Sequence, residues 1–116
     1  MQPFALYIHF PFCRTRCGYC DFPTTASARI PQRRLARAVI DELGRRAGEV
    51  GDAPLGSIYL GGGTPSLWHP EQAGALIRAA LERFPRHRDG VEVTLELNPG
   101  DLSPARLRAW REQGVN

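Results

Sequence analysis

Tyr7 to Phe22 reads YIHFPFCRTRCGYCDF and contains all three cysteines of the 116-residue chain, Cys13, Cys17 and Cys20, spaced C-x3-C-x2-C. Three thiols this close on a short loop can converge on one inorganic centre. Disulfides suit the number poorly, because one thiol is always left over. A closed four-cysteine zinc or iron–sulfur site would need one ligand more. A cube-shaped iron–sulfur cluster held by three thiolates leaves one iron without a protein ligand, and a small molecule can bind there. A zinc knuckle with His9 as fourth ligand is the competing reading, and the cysteine spacing alone leaves both open.

Outward from this stretch, the chain alternates strand and helix. Phe4 to Phe10 is a short apolar and aromatic run with β character, stopped by Pro11. Ile30 to Val50 reads as a helix. Pro31 suits its first turn, Leu35, Val39, Leu43 and Ala47 share one face, and Gly48 and Gly51 end it. Ser57 to Leu60 is a second strand that runs straight into Gly61-Gly62-Gly63-Thr64-Pro65. A second helix starts near Pro70, with His69 as a weak N-cap and Gln72 placed for a capping box. Leu76, Ala80 and Phe84 form its buried face, and Pro85 stops it. Val91 to Leu97 alternates as a third strand, and Asn98-Pro99-Gly100 turns the chain. The third helix has Ser103 as N-cap, Pro104 at its first position, a Leu102–Leu107 staple, and Leu107 and Trp110 on its apolar face.

Strand–loop–helix repeated in this way is the pattern of parallel βαβ units. Right-handed crossovers curl such units into an arc, either part of a barrel or one side of an open doubly wound sheet. Chemistry in these folds gathers at the C-terminal ends of the strands. Here the first strand leads into the cysteine loop, the second into the triple glycine, and the third into Glu96 and Asn98-Pro99. The glycines remove side chains, so a ligand can approach backbone amides and carbonyls closely. A nucleotide phosphate loop is the rival reading, but neither G-x4-G-K-[ST] nor G-x-G-x-x-G is present. In the third strand Val91, Val93, Leu95 and Leu97 point one way, and Glu92, Thr94 and Glu96 the other. In a barrel the polar set faces the lumen, where Glu96 at the mouth needs a hydroxyl or amino partner. In a half-exposed antiparallel sheet the same glutamates would be plain surface residues.

Composition sets outer limits. A hydrophobic share of 42% is enough for a core in one domain or part of one. The start, MQPFALYIHF, has no basic leader and is too short in apolar residues for stable membrane insertion. A reducing cytoplasm is therefore the expected compartment, where clustered thiols point to metal. The formal charge is +3 and every basic residue is Arg. Many arginines sit beside acids, as Arg45-Arg46 beside Asp41-Glu42, so no nucleic-acid partner is expected.

The cysteine stretch with its flanks, Tyr7 to Cys13 and Cys20-Asp21-Phe22, resembles radical S-adenosylmethionine (SAM) enzymes. Within them it is most similar to the coproporphyrinogen III oxidase-like branch and its HemW-type haem chaperones. The resemblance implies an α/β fold, the N-terminal half of a radical SAM partial (β/α)6 TIM-like barrel with three βα units. On this view residues 1–116 are the N-terminal part of a core domain, without its later strands and C-terminal domain. The isolated stretch is then expected to be poorly stable and to cleave SAM slowly if at all. The resemblance further implies a [4Fe-4S] cluster on Cys13, Cys17 and Cys20. It implies SAM contacts from Tyr7, Tyr19, Gly62, Gly63, Thr64 and Glu96. Read without it, Tyr7 and Tyr19 are packed aromatics and the glycines a bare turn. The implied function is haem binding and transfer to a haem-acceptor protein. Oxidative decarboxylation of a porphyrinogen is the alternative, and zinc binding without catalysis a second one. The decarboxylating relatives carry a further cysteine two residues after the third, where this chain has Phe22. His9 is read as a structural histidine rather than a haem ligand, and His69 and His87 carry no signal.

Overall fold

In the computed structural model, which describes residues 2–13, 25–26, 29–85 and 87–116, the aromatic and aliphatic run Phe4–Phe10 forms strand β1. Pro11 has no N–H for the ladder and ends it. The chain resumes as β2 (Phe12–Cys13), which pairs in parallel with β3 (Thr25–Ala26), a short ladder that periodicity did not foresee. Helix α1 (Gln32–Arg46) passes into a 3-10 turn over Ala47–Val50, and Gly51 closes it with φ 57°. Strand β4 (Leu55–Gly62), helix α2 (Pro70–Arg83), strand β5 (His87–Leu95) and helix α3 (Pro104–Glu112) follow. Single 3-10 turns at Pro65–Leu67 and Pro99–Asp101 lead into α2 and α3.

The main sheet has the order β1-β4-β5, and both pairings are parallel. Tyr7 stands opposite Tyr59 and Tyr59 opposite Thr94, while Ile8, Leu60 and Leu95 form the next row. Side chains alternate across a strand, so these two rows belong to opposite faces. One face is the core. Ile8, Phe10, Ile58, Leu60 and Val93 are buried there with Leu76, Ile77, Ala80 and Trp110 from the helices. Helix α1 packs on α2, and α2 on α3. Helices side by side over one sheet face form the wall of a barrel; a doubly wound sheet would divide them between both faces.

The expected elements are present with shifted ends. β4 starts earlier than Ser57 and runs through Gly62, and β5 spans His87–Leu95 instead of Val91 to Leu97. Glu96 still donates to Leu60 O at 3.1 Å, but the Asn98 side chain then accepts from Gly100 N at 3.1 Å and closes the turn. Ser103 caps α3 as read, accepting from Arg106 N at 3.1 Å. The capping box at α2 does not form, because Gln32 from α1 takes its place. Gln32 Oε1 accepts from His69 N at 2.9 Å, and its Nε2 donates to Leu67 O at 2.8 Å. Leu102 and Leu107 are 50% and 47% exposed, so they are not the buried staple and face expected of them; Trp110 anchors α3. Beyond α3, Asn116 N donates to Val93 O at 3.0 Å, which lays the chain alongside β5. Among the described residues no helix is long and apolar enough to cross a membrane.

Candidate cofactor site

The site is built where the ends of β1, β4 and β5 meet the start of the cysteine stretch. Cys13 is buried and its thiol is free. Its Sγ lies against the bare Cα of Gly63: a Cβ added there would stand 2.8 Å from the sulfur and 2.5 Å from Phe12 O. Backbone bonds fix this approach. Gly63 N donates to Phe10 O at 2.7 Å, and Thr64 N donates to Phe12 O at 2.9 Å. The glycine turn is therefore zipped along Phe10–Cys13, and only glycine tolerates so close a contact.

Gly62 adopts φ 114°, a conformation that side chains disfavour, and its N–H points to Glu96 Oε1 at 3.3 Å. Gly61 is buried on the sheet face that carries no helix among the described residues. A Cβ there would meet Glu96 Oε1 at 2.5 Å and the ring edges of Tyr59 and Tyr7 at 2.8 Å each. Tyr7 and Tyr59 stack with centroids 5.8 Å apart and planes 18° apart. The Tyr7 hydroxyl lies 3.3 Å from His9 Nδ1. Burial, then the Glu96 carboxylate, then Tyr59 hold the Tyr7 phenol above its ordinary pKa. At neutral pH it is thus an O–H group, able to donate to His9.

Of the residues read from sequence, the structure brings together Cys13, Tyr7, Gly62, Gly63 and Glu96, with Thr64 held to Phe12 beside them. Cys17, Cys20 and Tyr19 lie outside the described residues. Among the described residues no three His, Cys, Asp or Glu side chains gather as a metal site. Tyr59 and Gly61 were missed. Their signal was available: Tyr59 and Gly61 alternate with the core residues Ile58 and Leu60, as Thr94 and Glu96 do in the next strand. The His9 ring lies against Gly62 and Tyr7. His69 and His87 are exposed.

The donors match what a thiolate-held cluster and an amino-acid cofactor require. Cys13 offers a soft sulfur. Gly61 to Gly63 let Glu96, Tyr7, Phe10, Phe12 and Cys13 close in on bare backbone, and Glu96 offers a carboxylate there to accept from an ammonium or hydroxyl group. A separate groove of about 590 Å³ runs along the open edge of β1 against the second half of α1, lined by Leu6, Ile8, Val39, Leu43, Glu42 and Arg46 among others. It does not include the glycine turn.

The radical SAM superfamily model matches residues 7–116. Over 117 residues the chain is 38% identical to the heme chaperone HemW of Mycobacterium tuberculosis, covering 97% of this chain and 30% of that protein. It is 33% identical over 120 residues to HemW of Haemophilus influenzae, covering 99% and 31%. It is 36% identical over 115 residues to the mitochondrial radical S-adenosyl methionine domain-containing protein 1 of Bos taurus, covering 99% and 26%. Among solved structures, coproporphyrinogen III oxidase (HemN) from Escherichia coli, described as a radical SAM enzyme, superimposes with a TM-score of 0.77 at 26% identity, covering 99% of this chain and 26% of that one. The chain thus spans between about a quarter and a third of the length of these relatives.

Proposed function

The chain belongs to the radical SAM superfamily, and on that premise we propose that Cys13, Cys17 and Cys20 hold a [4Fe-4S] cluster with SAM bound beside the glycine turn. Members of the superfamily work with such a cluster and SAM. The carrying observation is the position of Gly61 to Gly63: one end of the turn lies on Cys13 Sγ, and the other on Glu96 and Tyr7. In the proposed complex the Gly62 to Thr64 segment receives the SAM amino group, Glu96 accepts from SAM, and Tyr7 and Tyr19 flank it. When bound, the cluster supplies one-electron chemistry at sulfur. The chain's own part is to seat the ligand and to exclude side chains from the approach.

The cargo we propose is haem, bound and passed to a haem-acceptor protein in the cytoplasm. This follows the HemW relatives, and the Phe22 position carries no additional cysteine. Reconstitution with iron and sulfide without oxygen, followed by reduction, should give a four-iron paramagnetic signal that changes on adding SAM. Stoichiometric zinc retained under those conditions would replace this reading with the zinc-binding one. For the cargo, the protein in its complete form is given coproporphyrinogen III, SAM and reductant, and separately haem. Stoichiometric haem binding without porphyrinogen conversion is expected, and sustained conversion overturns the chaperone reading.

A further inference from the structure

Two of the three helices start against the usual rule, and both departures serve the segment that follows the glycine turn. At α2 the capping box is displaced by Gln32, the first residue of α1. At α3 the N-cap Ser103 calls for a Glu or Gln three residues on, and Arg106 stands there instead. A cation in the first turn opposes the helix dipole, and that turn holds no acid to offset it. The Arg106 guanidinium donates to Ser66 O, across 40 residues of chain. Gln32 donates to Leu67 O and accepts from His69 N, across 35 and 37 residues. Pro65 to Trp68 are buried, and backbone groups in such a segment need protein partners.

This segment continues directly from the turn that rests on Cys13. Gly63 N and Thr64 N are bonded to Phe10 O and Phe12 O on the near side. The three glycines have no side chains to lock them by packing, and glycine backbone loses the most freedom on being fixed. Their place over Cys13 therefore depends on both ends: the bonds to Phe10 and Phe12 before, and the helix-borne bonds behind. We propose that Gln32 and Arg106 are positioning residues, a clamp on residues 66–69 that keeps the glycine turn seated on Cys13 and shaped to receive SAM. The SAM part of the proposal rests on the cluster reading above. A ligand met by backbone groups gains affinity when those groups are held in place beforehand.

Packing alone is a poorer account of the two side chains. Trp68 already anchors the segment, 1% exposed and with its ring centroid 4.9 Å from that of Phe10. Gln32 and Arg106 are only half-buried, so they add little to the core. Local rules broken at two helix starts for the sake of one loop point to a demand on that loop.

The test breaks the clamp without weakening the helices that carry it. In Q32E/R106M the glutamate suits the first turn of α1, and the methionine removes a cation from the first turn of α3. The iron-free protein is treated with iodoacetamide, and modification of Cys13 is followed by peptide mass spectrometry. Labelling is expected to be about tenfold faster in Q32E/R106M than in wild type, the scale of one charge-assisted hydrogen bond lost. The iron-loaded protein is titrated with SAM, and affinity is expected to fall by a similar factor. Arg106→Lys keeps a charged donor and should stay near wild type in both. Ile77→Val, two turns into α2 against Gly114, should lower the thermal midpoint and move neither. The single variants Gln32→Glu and Arg106→Met are read the same way should the double variant not fold. Wild-type labelling of Cys13 in the variants overturns the clamp. Faster labelling with unchanged SAM affinity overturns its positioning role. A wild type that takes up no iron refutes the cluster reading, while Cys13 labelling, which needs no iron, still decides the clamp.

Discussion

The three main strands present two faces of opposite design. On one, Ile8, Ile58, Leu60 and Val93 are 5% exposed or less and lie under the helices. On the other, Tyr7 is 54% and Tyr59 39% exposed, and Glu92 and Glu96 are exposed too. The same backbone ladder supports both. Side-chain alternation therefore separates two jobs in one element: Tyr7, Tyr59 and Gly61 face the candidate site, and Ile8, Ile58 and Leu60 hold the sheet to its helices. Substitutions on adjacent residues should then have effects of different kinds.

The largest contrast is expected between neighbours in β4. Leu60→Ala removes a fully buried side chain and should cost about 2–5 kcal/mol in denaturant unfolding. Tyr59→Ala removes a half-open ring whose main described partner is Tyr7, and should cost only about 1 kcal/mol. Similar losses at the two positions would mean that the second face is covered as well.

The glycine turn gives the next contrast, because its three residues meet different things. At Gly62 an alanine would have φ 114° and a Cβ 2.6 Å from Phe10 O, and at Gly63 it would strike Phe12 O at 2.5 Å. Both obstacles are backbone, so Gly62→Ala and Gly63→Ala should lower the thermal midpoint and, at Gly63, also the iron content. At Gly61 the obstacles are the ends of Glu96, Tyr59 and Tyr7, which can turn aside. Gly61→Ala should hold its melting temperature and iron but bind SAM more weakly. A Gly61→Ala variant that unfolds like Gly63→Ala would erase the distinction between the faces.

Much of this was legible beforehand, for identifiable reasons. Period-2 alternation placed Glu96 opposite Leu95, and Pro and Gly marked the ends of helices. The cysteine spacing, the triple glycine and their flanks pointed to the strand ends, where Cys13, Gly63 and Glu96 come together. Contacts between distant segments left no comparable trace. Gln32 replacing the capping box at His69 is a bond across 37 residues, and nothing near Gln72 announces it. The β2–β3 ladder is too short to show a period. Leu107 looked like a core residue because helix periodicity says which residues share a face, and α3 has no described neighbour over that part of its surface.

Glu96 and Glu92 sharpen the contrast within the open face. Glu96 accepts from Gly62 N, whereas among the described residues Glu92 is paired only with Thr94 Oγ1 at 3.3 Å. Glu96→Gln keeps the shape and removes the charge, so SAM affinity should fall by about tenfold, the scale of one charge-assisted hydrogen bond. Iron content should not change, and Glu92→Gln should leave both intact. A calorimetric titration with SAM decides this; equal affinity for wild type and Glu96→Gln would make Glu96 structural.

The smallest effect concerns the Tyr7 phenol. Burial raises its pKa first, and the Glu96 carboxylate second, with Tyr59 behind them. The folded state thus favours the neutral phenol more than the unfolded chain does. That contribution is complete below the unfolded phenol pKa and is lost as pH rises through the higher folded value, so the fold should weaken at strongly alkaline pH. Phenolate absorbance, taken as wild type minus Tyr7→Phe, isolates this residue from Tyr19 and Tyr59. Its midpoint should lie above the ordinary tyrosine range. Glu96→Gln should lower that midpoint without restoring the ordinary value, since the larger cause, burial, remains. A midpoint indifferent to Glu96→Gln would show that the carboxylate lies farther from the ring than the Gly61 geometry places it, and would weaken the case for the two residues sharing one ligand.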